Sequence, residues 1–284
     1  MCGFTRGGFA AAAPFAITTM SNCEKTNGPF TVCALASGSR GNAIYLSAGS
    51  TAILVDAGLS GVELERRMRS RGLCPDRLDA LLVSHEHADH IQGVGVLSRR
   101  YKLPVFMTEK TRGALPPSVG KIADIRTFAS GRSFSIDGLR LEAFPVSHDA
   151  SEPSGFIFSR NGLKIGLATD LGIATALVRE RLRGCRLLIL ETNHDRRMLE
   201  EGPYPWPLKQ RIQSRLGHLC NEASRDLLAA LVHDGLSHVI LAHLSQTNNT
   251  PEKALAAVAP ALNASRAKLT VALQDVPGEV VVVG

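Results

Sequence analysis

Aromatic side chains are scarce in this sequence. One Trp, three Tyr and ten Phe make up 5% of its 284 residues. Stacking platforms for single strands are therefore thin, limited to Trp206, Tyr204, Tyr101 and a few Phe. No run of eighteen apolar residues occurs, so no membrane-spanning helix is expected. Six cysteines are present, at positions 2, 23, 33, 74, 185 and 220. None forms a C-x-x-C pair and their spacing is not a disulfide framework, which points to a reducing, cytoplasmic location. Charge is not extreme either. A net +6 is compatible with a polyanionic partner but does not require one. The basic residues fall in helical segments (Arg66, Arg67, Arg69 and Arg71; Arg179, Arg181 and Arg183; Lys209, Arg211 and Arg215), where solvated faces are the ordinary reading.

Hydrophobic residues at 44% and charged ones at 20% are those of a globular protein long enough for one large α/β domain or two small ones. Residues 1–29 stand apart: Met1 to Met20 is rich in Gly, Ala and Phe with Arg6 as its sole charge. We read 1–29 as an unstructured leader or a start placed upstream of a true start at Met20, and 30–284 as one domain. Along that domain the pattern predicts strands over 30–35, 43–47, 52–55, 78–83 and 105–107, with helices over 61–71, 94–101 and 109–114. Short strands then follow from 125 to 168, with turns at Ser130-Gly131, Asp137-Gly138 and Asn161-Gly162. Helices are predicted over 173–182, 223–233 and 251–259, and strands over 186–191, 238–242, 269–273 and 280–283. Strand-rich halves with helices between them suggest two sheets packed face to face with helices outside. Tyr204-Pro205-Trp206-Pro207 reads as a Pro-rich loop.

The stretch Ser84-His85-Glu86-His87-Ala88-Asp89-His90 carries most of the chemistry. Three imidazoles and a carboxylate lie within six residues, directly after an apolar strand-like run. His85 and His87, two apart, point the same way in extended geometry. Asp89 and His90 follow where the chain turns and can face a second point. That layout suits two metal ions side by side, the arrangement that activates water for hydrolysis. Further donors stand at the ends of other apolar runs: His148 after 139–146, Asp170 after 163–168, His243 after 238–242.

The series H-x-H-x-D-H, then single His, Asp and His residues at strand ends, resembles the metallo-β-lactamase superfamily. Ala36-Ser37-Gly38-Ser39-Arg40-Gly41-Asn42, Glu191-Thr192-Asn193-His194-Asp195, Gly217-His218-Leu219-Cys220-Asn221 and His243-Leu244-Ser245 with Asn248-Asn249 extend the resemblance to its YycJ/WalJ group. Thr192 and Cys220 stand where Ser is more usual. The resemblance implies a four-layer αββα sandwich. It also implies two divalent ions, one on His85, His87 and His148, the other on Asp89, His90 and His243, with Asp170 bridging. An N/O donor set without thiolate admits Zn²⁺ or Mn²⁺. A bridging water is then readily deprotonated, and the hydroxide is the nucleophile. Asp89 and Asp170 are thus catalytic as well as ligating.

Around this centre, Asp56 and Glu191 are candidates to orient ligand histidines, although Asp56 reads equally well as a turn cap. His194 and His218 are candidates for leaving-group protonation or phosphate contact, with structural hydrogen bonding as the even alternative. Ser39, Arg40, Asn42 and Asn248 are candidate substrate contacts. The group resemblance implies a 5′→3′ exonuclease on nucleic acid, DNA before RNA, in a DNA-repair setting. The segment between Asp170 and His243 is too short for the extra domain of RNase J-type nucleases. A small-molecule hydrolase (cyclic phosphodiesterase or thioesterase) and a non-catalytic metal-binding regulatory module are the alternatives, since fold does not give substrate. A homodimer stays open.

Overall fold

Successive side chains of the central strands are buried on opposite faces, which demands an apolar layer on both sides of each sheet. The structure, a computed structural model describing residues 29–284, supplies those layers. The expectation of a leader over residues 1–29 lies, apart from Pro29, outside the described residues. The first sheet contains β1 (Phe30–Ala36), β2 (Ala43–Ala48), β3 (Thr51–Val55), β4 (Ala80–Leu82), β5 (Val105–Met107) and β6 (Ile125–Thr127). The second contains β7 (Ser133–Ile136), β8 (Leu139–Pro145), β9 (Ser154–Arg160), β10 (Leu163–Ala168), β11 (Leu187–Glu191), β12 (His238–Ala242) and β13 (Lys268–Val271). The last strand, β14 (Val281–Val283), returns to the first sheet and pairs antiparallel with β1, giving the orders β14-β1-β2-β3-β4-β5-β6 and β13-β12-β11-β10-β9-β8-β7.

Strand alternation sorts the core. Phe30, Val32 and Ala34 of β1 and Leu187 and Ile189 of β11 enter one layer between the sheets. Cys33 and Leu35 face outward to Leu64, Met68, Val94 and Leu97, which belong to helices Gly61–Ser70 and Val94–Tyr101. Leu188 and Leu190 face outward to Val178, Leu227 and Val258, on helices Ala176–Leu182, Asn221–Ala229 and Pro251–Val258. The result is the four-layer αββα sandwich.

Element boundaries shift for local reasons. The helix expected from residue 173 begins at Ala176, because the Thr175 side chain accepts the Val178 N–H and caps it there. Both hairpin turns hold left-handed residues, Asp137 and Gly138 (φ 43° and 84°) and Asn161 and Gly162 (φ 50° and 80°), the type I′ geometry their sequences favour. The Pro-rich loop is shorter than expected. Trp206 opens a helix, Trp206–Gln213, and Pro207 sits in its first turn, where a missing N–H costs nothing.

Strands β3 to β6 run parallel, as do β10 to β13. Their C-terminal ends meet at one edge of the sandwich, the usual place for a site in sheets of this kind.

Candidate metal centre and active site

Every expected metal donor follows a strand at that edge: His85 and His87 on the loop after β4, Asp89 and His90 in the short helix Ala88–Ile91 that continues it, His148 after β8, Asp170 after β10 and His243 after β12. At this edge three residues other than glycine carry left-handed backbone, namely Asp56 (φ 58°), Asp170 (φ 58°) and His243 (φ 57°). Such conformations cost on the order of 1 kcal/mol each and persist where the surroundings over-determine them.

The donors form two adjoining clusters. In the first, His85 Nε2 and His148 Nε2 lie 3.2 and 3.3 Å from His87 Nδ1. Their far ring nitrogens are anchored: His85 Nδ1 is 3.0 Å from Ser84 Oγ, and His148 Nδ1 is 3.2 Å from the Gly217 carbonyl. Three imidazole nitrogens aimed at one point bring lone pairs together, an arrangement that a cation satisfies. In the second cluster, Asp89 Oδ2 lies 3.4 Å from His90 Nε2 and 3.6 Å from His243 Nε2. Asp170 stands between the two, with Oδ2 3.5 Å from His90 Nε2 and Oδ1 3.4 and 3.9 Å from His243 and His148 Nε2. Donor atoms of His85, His87 and His148, and of Asp89, His90 and His243, converge within 4.8 Å.

Two atoms test the fit to a metal directly. Asp170 Oδ2 and His243 Nε2 are buried with no hydrogen-bond partner, and such orphans are rare in folded proteins. Charge points the same way. Burial alone would lower His90 and His243, but Asp170 and the other carboxylates beside them hold His90 well above its ordinary value and push His243 up to about 10. Burial opposes ionisation of Asp89 and Asp170, yet His90 and His243 keep both carboxyls well below their usual range. In the first cluster burial lowers His85 and His148, leaving neutral imidazoles, the ligand form. The second cluster thus draws positive charge that a divalent ion supplies in place of protons.

Two buried carboxylates set histidine tautomers. Asp56 Oδ2 lies 2.8 Å from His90 Nδ1, and the same carboxylate accepts the Ser84 N–H and hydroxyl at 2.8 and 2.7 Å. Glu191 accepts from His218 Nδ1 at 2.6 Å, His243 Nδ1 at 3.0 Å, and the Leu171 and Leu219 N–H groups at 2.8 and 3.4 Å. Burial opposes ionisation of Glu191, but these partners, His218 foremost, lower it to about 2. Both histidines therefore present Nε2 to the centre.

The remaining sequence candidates part company here. His218 and Ser39 line the cleft beside the centre, a cavity of about 250 Å³. Ser39 and Asp89 also border a second concavity with Arg40, whose guanidinium pairs with Asp275 at 2.7 Å. Asn42 is buried, and its amide donates to Asp89 Oδ2 at 3.1 Å and to the Gly38 carbonyl at 3.0 Å; it braces the metal loop from behind. Asn248 is fully buried, with its carbonyl accepting the Asp195 N–H. His194 is buried beside Cys220 through a parallel bridge, outside the cleft lining. Sequence reading missed Ser84, whose place just before the motif was its only signal. It also missed Asp149 and Arg211 as cleft residues, which share no motif, whereas Tyr204, one of the few stacking residues the sequence offered, does line the cleft. Arg211 Nε donates to Asp149 at 2.5 Å.

A His/Asp centre at the C-terminal edge of an αββα sandwich defines a metallohydrolase architecture with a divalent-metal donor set. Residues 51–244 match the beta-lactamase superfamily domain, and the chain belongs to that family. It is 40% identical over 230 residues to exodeoxyribonuclease YycJ of Bacillus anthracis, covering 80% of this chain and 87% of the relative. It is 38% identical over 224 residues to exodeoxyribonuclease WalJ of Streptococcus pneumoniae serotype 2 (strain D39), covering 78% and 83%. The metallo-beta-lactamase fold protein YhfI of Bacillus subtilis shares the fold, with a TM-score of 0.66 at 15% identity over 88% of this chain and 99% of that one.

Proposed function

We propose that this protein is a metal-dependent exonuclease that shortens DNA from the 5′ end, with residues 30–284 as its catalytic domain. The carrying observation is the convergence of seven donors, five of them buried and two with orphaned atoms, on two adjoining points. The two exodeoxyribonuclease relatives support the DNA substrate. We assign one divalent ion to His85, His87 and His148 and a second to Asp89, His90 and His243, with Asp170 between them; Zn²⁺ and Mn²⁺ both suit this donor set. When bound, such ions polarise water and neutralise phosphodiester oxygens. The chain's own residues do the rest. Glu191 accepts the Nδ1 proton of His218, so His218 Nε2 faces the cleft; with a second proton taken up there, held by the carboxylate behind the ring, the imidazolium can hand that proton to the departing oxygen and return to the neutral tautomer. Asn42 and Asp56 hold Asp89 and His90 against the loop. We place the protein in the cytoplasm, a reading supported by the free thiols of Cys33, Cys185 and Cys220 among the described residues, with a DNA-repair role and a homodimer as further expectations.

The test is hydrolysis of 5′- and 3′-end-labelled single- and double-stranded DNA and RNA with added Mn²⁺ or Zn²⁺, beside Asp170→Ala and His87→Ala. Stepwise loss from the 5′ end, abolished by chelation and by both substitutions, is the expected result. A protein carrying two metals that cuts none of these strands refutes the reading. The modest cleft volume makes small cyclic phosphodiesters the next substrates to try.

A further inference from the structure

We infer that Tyr204, with Leu208 and Ile212, forms the nucleobase subsite of the cleft, Tyr204 stacking on the terminal nucleotide of the strand being cut. The inference rests on the nuclease reading above. Helix Trp206–Gln213 has no buried residue, so Leu208 and Ile212 do not serve the core. Four apart, they share a helix face, and that face, with Tyr204, lines the same cleft as His87, Asp89 and His148. An apolar wall beside a cluster of histidines and carboxylates that would hold divalent ions suits a ligand that is anionic at one end and flat and apolar at the other. A nucleotide has that form.

Three further observations agree. Tyr204 is half-buried, and its hydroxyl has no hydrogen-bond partner among the described residues, so nothing but its ring is committed to the wall. From Gly202 to Asn221 the chain has no acidic residue and carries Lys209, Arg215 and Arg211, the last paired with Asp149, a local excess of positive charge that favours a polyanion. The cleft, at about 250 Å³, lies below the range typical of drug-sized ligand pockets and suits one nucleotide unit rather than a duplex. Base–aromatic stacking tolerates any sequence, because every base has a π-face.

The test uses the metal-loaded protein. KM and kcat are measured on single strands with a natural terminal nucleotide or an abasic one, for wild type, Tyr204→Phe and Tyr204→Ala. Binding is followed separately with a phosphorothioate-ended strand that resists hydrolysis. Trp206, the chain's single tryptophan, lies two residues from Tyr204 and reports by its emission. Tyr204→Ala should raise KM and weaken binding about tenfold, the loss of one base–aromatic stack, with kcat little changed and Tyr204→Phe near wild type. The abasic end should cost wild type a similar factor and cost Tyr204→Ala almost nothing, since the pair acts as a unit. Equal abasic penalties in wild type and Tyr204→Ala overturn the inference, as does a wild type indifferent to the abasic end, a result that needs no variant to fold. In both cases DNA is still cut and the nuclease reading stands. Absence of both DNA binding and cleavage overturns both.

Discussion

Glu191→Gln isolates the part played by charge and acceptor geometry without changing shape. All four groups facing Glu191 are donors: His218 and His243 Nδ1 on one oxygen, the Leu171 and Leu219 N–H groups on the other. A carboxylate accepts from all of them. An amide cannot, because whichever way it is turned, its NH₂ group meets two donors. At least two buried donors then lose their partner, at roughly 1–3 kcal/mol each, or roughly 2–6 kcal/mol in all. Part of that cost is relieved if His243 or His218 changes tautomer, but then Nδ1 no longer carries the proton that leaves Nε2 free. Loss of such supporting contacts typically lowers metal affinity about 10–100-fold. The assays are urea unfolding of the metal-free protein and metal competition against a chromogenic chelator. A Gln variant with wild-type stability and wild-type metal affinity would refute the reasoning, since it would mean that neither the charge nor the four acceptor contacts matter.

Asp56→Asn should lower metal affinity as well, with the loss confined to the site that His90 serves, because Asp56 Oδ2 anchors His90 Nδ1; stoichiometry by metal analysis after gel filtration would show one ion retained. Gly58→Ala should displace the metal loop, since an added Cβ would meet the Asp89 carbonyl oxygen at 1.7 Å; a variant that folds and still binds both metals at wild-type strength contradicts this. His194 is lowered to about 4 by burial, so its neutral form is favoured in the folded state. Its stabilisation is complete above the unfolded value near 6.5 and is lost as pH falls toward 4, amounting to about 2 kcal/mol at pH 5. Urea unfolding at pH 7 and pH 5 should show that extra loss in wild type but not in His194→Gln, and equal losses would rule it out.

Much of this protein is legible in the order of its residues. A strand-to-loop transition at His85 places ligands at a sheet edge because strand period and hydrogen bonding leave the polar cluster nowhere else to go. Asn161-Gly162 and Asp137-Gly138 declare their turns through left-handed residues. The apolar alternation in β1 and β11 states that each sheet has two covered faces. These are local properties, carried by residues a few positions apart.

What the sequence could not decide depends on contacts between distant segments. Val281–Val283 reads only as a strand; that it pairs with β1 follows from which sheet edge remains open once the chain has folded. Asn42, on a loop that could reach substrate, instead braces Asp89 because the first loop packs behind the metal loop. His194 and His218 look alike in sequence. The fold buries one beside Cys220 and aims the other into the cleft on Glu191. Tyr204 belongs to no motif and enters the site only because helix Trp206–Gln213 lies along the cleft. Residue type and spacing thus determined the fold class and the candidate donor set of this chain. Which side chains brace that centre and which face a substrate was set by tertiary packing, because direction and burial are properties of the assembled sandwich and not of any segment alone.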